Sequence, residues 1–296
     1  MNLPPLSALE LRHQFIRNPT DHKGQGGRVV VIGGANGMLG AVVLAGIAAL
    51  YCGAGWVDLR FLAQPRPLLI PEHPELMVSD AADLIKQQTP SNLESSVIAI
   101  GPGMGHGQLA LDLLYKVIQT DTPIVLDADA LNLLSENELL IEALRTRKSP
   151  TVLTPHPGEA ARLLKISTEK VQQNRNQALA QLVELTHSVV VLKGHGTLCG
   201  APNQVAEICH AGNSGMGSGG MGDTLTGIIA ALVSQGRFRG VSAWDATRLG
   251  VALHANAADN LVKGNVLGEN SIEPVGPIGL TASEVVLEVR KILNAK

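Results

Sequence analysis

Residues 212–233 read GNSGMGSGGMGDTLTGIIAALV, a glycine-rich run that empties into an apolar helix. Six glycines lie between positions 212 and 222, and Asp223 arrives where the helix begins. Leu225, Ile228, Ile229, Leu232 and Val233 then recur at the i, i+3, i+4, i+7, i+8 spacing of one buried helical face. Bare backbone ahead of a helix N-terminus gathers unpaired N–H groups and the positive end of the helix dipole around a gap that suits an anion, most often phosphate. Asp223 is the odd member, because a carboxylate repels the ligand that the glycines invite. It suits the handling of a proton or a metal ion better than phosphate binding, and the plainer alternative is a helix N-cap.

Outward from this run, short β-branched stretches alternate with helical patterns from Arg28 onward: RVVVI, GWVDLRF, VIAI, PIVLD, PTVLT and VVVLK. Such alternation implies βαβ units and an α/β fold, a mostly parallel central sheet flanked by helices on both faces. The spacing predicts helices over 107–119, 129–146, 158–165, 170–187, 223–235, 241–262 and 281–294. Segments 189–199 and 204–210 read as antiparallel strands added to the sheet. The longest apolar run, 38–50, is too short to span a bilayer and reads as a buried helix.

Composition narrows the partners. With 296 residues, 45% of them hydrophobic, the chain can bury a large core, and nothing in it resembles a linker. No basic-then-apolar leader opens it, so secretion is not expected. The three cysteines form no CxxC pair and fit reduced thiols in a cytoplasmic protein. A net charge of −3 and only 2% aromatic residues make nucleic acid a poor partner. Small anions must therefore be held by local groups.

In open α/β sheets ligands bind beyond the carboxyl ends of the strands, where the unusual residues of this chain collect. GGANGMLGA follows the first strand, GPGMG the VIAI strand, ADALN the PIVLD strand, PHPGE the PTVLT strand and GHGT the VVVLK strand. The first lacks the spacing of a dinucleotide fingerprint and the Lys-Ser/Thr end of a P-loop. It reads as a tight strand-to-helix turn that lets a ligand approach near Ala41. GPGMG is a turn or a ligand platform. Of Asp127 and Asp129, one caps the following helix and the other could reach Mg²⁺ through water. His156, stiffened between two prolines, is a surface residue or a ligand contact, and Glu159 favours the start of the next helix. The segment 193–197 is a glycine hairpin or a backbone cradle for a nucleotide, with Lys193 as a point charge toward phosphates. His254 receives no role.

Together, KGQGGRVVVIGGANGMLGA, AIGPGMG, VLDADALNLL, LTPHPGEAARLL, VLKGHGT and GGMGDTLTGIIAAL resemble the NAD(P)H-hydrate dehydratase family over nearly the whole chain. The resemblance implies the ribokinase-like fold and the repair of NADH or NADPH in which water has added across the nicotinamide ring. It implies an enzyme that spends ADP, with Mg²⁺, to remove that water from the S epimer, releasing AMP and phosphate. Asp223 would take the proton of the ring hydroxyl. Ala41, Gly103, His156 and Asp223 correspond to positions contacting the hydrated substrate. Lys193, Gly194, His195, Gly196, Thr197, Gly219, Gly220 and Gly222 correspond to the nucleotide site. Metal ligands are not assigned.

The family's usual loop reads NPGMATGGTGD. Ser214, Gly217, Ser218 and Met221 stand here where Pro, Ala, Thr and Thr are common, and Met221 replaces a hydroxyl, which bears on nucleotide affinity. Residues 1–296 read as a single domain without the epimerase domain of some members, which needs on the order of 200 residues. The epimerase activity is then expected from a separate chain or from slow spontaneous epimerisation, and a homo-oligomer, such as a tetramer, is expected from the family. An ATP-dependent kinase of the same fold, acting on a hydroxymethylpyrimidine or thiazole alcohol, is the alternative reading. A non-catalytic nucleotide-binding regulator would keep the glycine cradle but need no Asp223.

Overall fold

The β-branched runs become strands because their side chains pack on both pleated faces, and the Gly- and Ala-rich runs become helices pressed close to them. The computed structural model describes residues 3–86, 93, 95–264, 266–267, 270–271 and 274–295. The first half comprises β1 (Arg28–Gly33), α1 (Leu39–Tyr51), β2 (Trp56–Phe61), β3 (Met77–Asp80), α2 (Asp83–Lys86), β4 (Ser96–Ile100), α3 (Gln108–Ile118) and β5 (Ile124–Leu126). Next come α4 (Ala128–Ser135), α5 (Glu138–Arg145), β6 (Thr151–Leu153), α6 (Pro157–Leu164), α7 (Thr168–Gln173), α8 (Arg175–Thr186) and β7 (Val189–Leu192). Strands β8 (Thr197–Gly200) and β9 (Glu207–Cys209) precede helices α9 (Met221–Arg239) and α10 (Ala243–Lys263). A small β10 (Val266–Leu267) and β11 (Asn270–Ser271) pair leads to α11 (Ala282–Leu293).

Among the described residues nine strands form one sheet in the order β3-β2-β1-β4-β5-β6-β7-β8-β9. The pairings from β3 through β7 are parallel, and β8 and β9 are added antiparallel. The strand order reverses direction between β1 and β4, which opens a crevice beyond their carboxyl ends. Alternate residues face two cores. Val29, Val31, Val97 and Ala99 pack with α1, α9, α10 and α11, whereas Val30, Ile32, Ile98 and Ile100 pack with α3, α4, α5, α6 and α8. Among the described residues no helix is long and apolar enough to cross a membrane.

Four expectations change. The helix expected over 129–146 is two, α4 and α5, and that over 170–187 is likewise two, α7 and α8. Asparagine makes both breaks: Asn137 is extended and accepts the Tyr115 hydroxyl, and the Asn174 side chain accepts the N–H of Gln177 to cap α8. The apolar period runs through each break because both helices of a pair face one core. In 189–199, β7 pairs parallel with β6, and the chain reverses only at Gly194 and Gly196, at φ +132° and +65°. Finally, α9 is buried all round from Thr224 to Gly236 rather than on one face.

That burial has a steric cause. A Cβ at Gly227 would lie 2.0 Å from the carbonyl oxygen of Ala45, so α9 and α1 meet backbone to backbone. Gly227→Ala is expected to force the helices apart and cost about 3 kcal/mol or more. Gly107→Ala, at the N-cap of α3 where a Cβ would meet nothing within 4 Å, should cost only about 1 kcal/mol or less. Thermal melts of the two variants check this, and equal melting temperatures would contradict the close approach.

Candidate active site

Each motif at a strand end is tied to its neighbour by backbone geometry. Gly34 N–H donates to Pro102 O at 2.9 Å and Ala35 N–H to Gly103 O at 2.7 Å, joining the turn after β1 to the turn after β4 across the crevice. Gly33 is glycine because a Cβ there would stand 2.0 Å from Pro102 O. Gly103, at φ +55°, would place a Cβ 3.2 Å from that of Ala41, so these two positions share one wall. Gly105 N–H donates to Asp129 Oδ2 at 2.9 Å, and Asp129 Oδ1 lies 3.3 Å from His106 Nε2. Lys193 N–H donates to Pro155 O at 2.8 Å, which joins the loop after β7 to the one after β6.

The centre of the site is Asp127, 1% exposed. Its Oδ1 accepts from Lys193 Nζ at 2.7 Å and its Oδ2 from Thr226 Oγ1 at 2.8 Å. Neither it nor Asp129 caps α4: Asp127 holds the N-cap position but makes no capping bond, because both its oxygens are committed elsewhere. Ala128, at φ +48°, carries the backbone kink that lets Asp127 turn inward while the helix starts. Burial works against the Lys193 ammonium, but Asp127 and Glu159 overcome it and lift its pKa above the ordinary lysine value. Its Nζ lies 3.3 Å from where a Cβ of Gly222 would be, directly over the first turn of α9.

Asp223 is in that same turn. The helix starts at Met221 behind Gly220, which is at φ +88° against Leu44, so Asp223 is not an N-cap. Among the described residues its carboxylate has no hydrogen-bond partner. Burial and the charge of Asp127 raise its pKa to about 6, opposed by Lys193. The first-turn N–H groups of α9 have no partner within the helix, and a Cβ at Gly217 or Gly219 would meet nothing within 4 Å. The loop beside Asp223 is therefore bare and open. It is anchored behind: Asn213 accepts from Gly215 N–H and donates to Asp259, and Ser218 donates to Leu280 O. Met221 is buried in the core, so the exchange at that position is one of packing.

His156 and Glu159 form a reciprocal cap on α6. His156 Nδ1 accepts from Gly158 N–H at 3.0 Å, and Glu159 Oε2 accepts from His156 N–H at 2.7 Å. With Nδ1 accepting, the ring proton sits on Nε2, 3.2 Å from Glu159 Oε1. Burial, with Lys193 and Arg162, lowers the His156 pKa, so the ring is neutral at pH 7. Burial also pushes Glu159 up to about 7. Beyond helix capping, Glu159 therefore belongs to the buried charge group around Lys193. His254 is buried beside Thr224, 3.2 Å from its hydroxyl, and its pKa is pushed down to about 4, in keeping with a core residue.

In the 193–197 loop, His195 is exposed and the Thr197 hydroxyl donates to Gly194 O at 3.0 Å. Sequence reading missed Arg175, Thr226 and the anchoring role of Asp127. An aspartate directly after an apolar strand was visible, but its partners lie 66 and 99 residues away. Among the described residues no group of three or more His, Cys, Asp or Glu is placed to hold a metal ion.

Comparison with known proteins places this architecture. The family model for NAD(P)H-hydrate dehydratase matches residues 29–273. A bifunctional NAD(P)H-hydrate repair enzyme of Coxiella burnetii is 42% identical over 92% of this chain and 51% of its own length. An ADP-dependent (S)-NAD(P)H-hydrate dehydratase of Neisseria meningitidis is 39% identical over 86% of this chain and 83% of its own. The chain thus spans about half the length of the bifunctional relatives it matches. The solved ADP/ATP-dependent NAD(P)H-hydrate dehydratase of Bacillus subtilis, co-crystallised with ATP and Mg²⁺, superposes with TM-score 0.82 at 26% identity over 99% of both chains. A ribokinase-like superfamily protein of Enterococcus faecalis superposes with TM-score 0.77 at 26% identity, covering 98% of this chain and 95% of its own. The fold is ribokinase-like, and the chain belongs to the NAD(P)H-hydrate dehydratase family.

Proposed function

We propose that this protein dehydrates the S epimer of hydrated NADH or NADPH at the expense of ADP, giving the reduced nicotinamide cofactor, AMP and phosphate. The observation that carries the reading is Asp223: a partly buried carboxylate that has no hydrogen-bond partner among the described residues, beside an open glycine loop at the positive end of α9. The nucleotide assignment follows the name of the Neisseria relative, and the Bacillus neighbour is named as accepting ADP or ATP.

In this reading Ala41, Gly103 and His156 line the hydrate side of the crevice. Lys193, Gly194, His195, Gly196, Thr197, Gly219, Gly220 and Gly222 face the nucleotide. The ring hydroxyl oxygen bonds to the terminal phosphorus of ADP as the bond from that phosphorus to the bridging oxygen breaks. AMP leaves with that electron pair, and the hydroxyl proton passes to Asp223. Amide N–H groups of the glycine loop and the α9 dipole stabilise the charge on the moving phosphoryl group. Phosphate, a far better leaving group than hydroxide, then departs with the C–O electron pair. A proton leaves the neighbouring ring carbon, and its C–H electrons close the double bond.

The described residues do not form a resident Mg²⁺ site: Asp127 and Asp129 are committed to protein partners, which leaves Asp223. Any Mg²⁺ belongs with the nucleotide phosphates, and no step here runs through it.

Hydrated NADH incubated with the protein and ADP should regain the near-ultraviolet absorbance of reduced nicotinamide, with inorganic phosphate as the second phosphorus product. Accumulation of a stable phosphate monoester instead would identify a kinase. Asp223→Asn should abolish recovery and retain ADP binding. Because Asp223 accepts a proton only when ionised, log(kcat/KM) should rise with unit slope up to a midpoint near pH 6 and level off above it. A pH-independent rate between 5 and 8 would remove Asp223 from the proton transfer.

The same raised pKa has a stability consequence. The ionised carboxylate is disfavoured in the fold, so its cost develops between about pH 4 and 6, the unfolded and folded values, and is fully present above 6. Asp223→Asn should therefore raise the melting temperature at pH 8 and leave it unchanged at pH 3, a contrast that melts at the two pH values read directly.

A further inference from the structure

Arg175 opens α8, outside every sequence motif, yet its guanidinium lies under the 193–197 loop. Nη2 donates to Leu192 O at 3.0 Å, both terminal nitrogens reach Lys193 O at 3.3 Å, and Nη2 donates to Gly196 O at 3.2 Å. Nη1 also donates to Gln172 Oε1 at 3.2 Å. Every one of these partners is neutral, so among the described residues the cation is set against carbonyl oxygens without a carboxylate. Gly194, at φ +132°, would bring a Cβ within 2.9 Å of Nη1, so glycine there is required by both the turn and the arginine.

The geometry has a directional consequence. In a trans peptide the C=O and the following N–H point opposite ways. The Leu192 carbonyl faces Arg175, and the N–H of Lys193 accordingly points away, to Pro155 O. The Lys193 carbonyl also faces Arg175, so the N–H of Gly194 points away from it. Among the described residues no backbone carbonyl accepts the N–H of Gly194 or His195. One planar, permanently charged fork thus turns the oxygens of Leu192, Lys193 and Gly196 inward, and the N–H of Gly194 on the opposite side is left for a ligand. The positive charge of the arginine adds to the attraction for an anion.

We propose that Arg175 is the positioning residue of the nucleotide site: it locks the 193–197 loop so that its backbone donors meet the phosphates of a nucleoside diphosphate. This inference rests on the nucleotide reading above. Lysine cannot replace the fork, because a single ammonium cannot hold three carbonyls in that arrangement.

The test is calorimetric binding of ADP to the ligand-free wild type, Arg175→Lys and Arg175→Met, together with KM for ADP and for the hydrate. Wild type should bind ADP, and both variants should bind it at least about tenfold more weakly. KM for ADP should rise by the same factor while kcat and KM for the hydrate stay within about twofold. Should Arg175→Met fail to fold, Arg175→Lys, which keeps charge and length, carries the test alone. Equal ADP affinity in a folded variant overturns the inference, as does a uniform loss affecting hydrate and ADP alike. If wild type itself does not bind ADP, the nucleotide reading fails instead, and the inference with it.

Discussion

The buried pair of Lys193 and Asp127, completed by the hydroxyl of Thr226, is the contact on which the site depends. It joins the end of β7, the end of β5 and the second turn of α9, three elements far apart in sequence. As a source of stability such a pair is unremarkable: replacing a buried ion pair by well-packed apolar groups is often neutral, or stabilising by about 1–4 kcal/mol. Its value here is geometric. An apolar substitute would fill the volume but not place an ammonium against Gly222, and Asp223 would lose a nearby cation that opposes its burial.

Around that pair the frame is set by close backbone approach. The sheet reverses strand order between β1 and β4, and the two turns at this point are bonded to each other through Gly34 and Ala35. Gly33 and Gly101 would each drive a Cβ to 2.0 Å or less from a carbonyl oxygen. Behind the glycine loop, the contact of Gly227 with Ala45 seats α9 deep between α1, α10 and the sheet. A helix so placed aims its N-terminus at the crevice as a rigid body, which suits electrostatic stabilisation because the dipole needs no reorganisation.

Much of this was legible in the sequence, for identifiable reasons. The six β-branched runs became strands because parallel strands are buried on both faces and leave a compositional trace, while β3, edge-placed and half-buried as MVSD, left none. The strand-end clusters marked the site because sheet topology gathers those ends on one side. The breaks at Asn137 and Asn174 escaped notice because each is made by one side chain inside an unbroken apolar period. The roles of Asp127 and Arg175 escaped for another reason. A cap, an anchor and a loop staple use the same residue types, and only the fold says which partner is in reach.

On the proposed reading, a chain with a net charge of −3 receives a polyanion. Lys193 is paired with Asp127, and the guanidinium of Arg175 is held by neutral carbonyl oxygens. Burial lifts the nearby carboxylates, Glu159 to about 7 and Asp223 to about 6. Part of the negative charge in the crevice is therefore shed by protonation only as pH falls below about 7 and 6, while in the proposed reading attraction for phosphate comes from the charge of Arg175 and from fixed dipoles, the first turn of α9 and the 193–197 loop. Dipoles of this kind do not titrate, so on that reading their attraction for phosphate persists across the pH range in which Asp223 changes protonation.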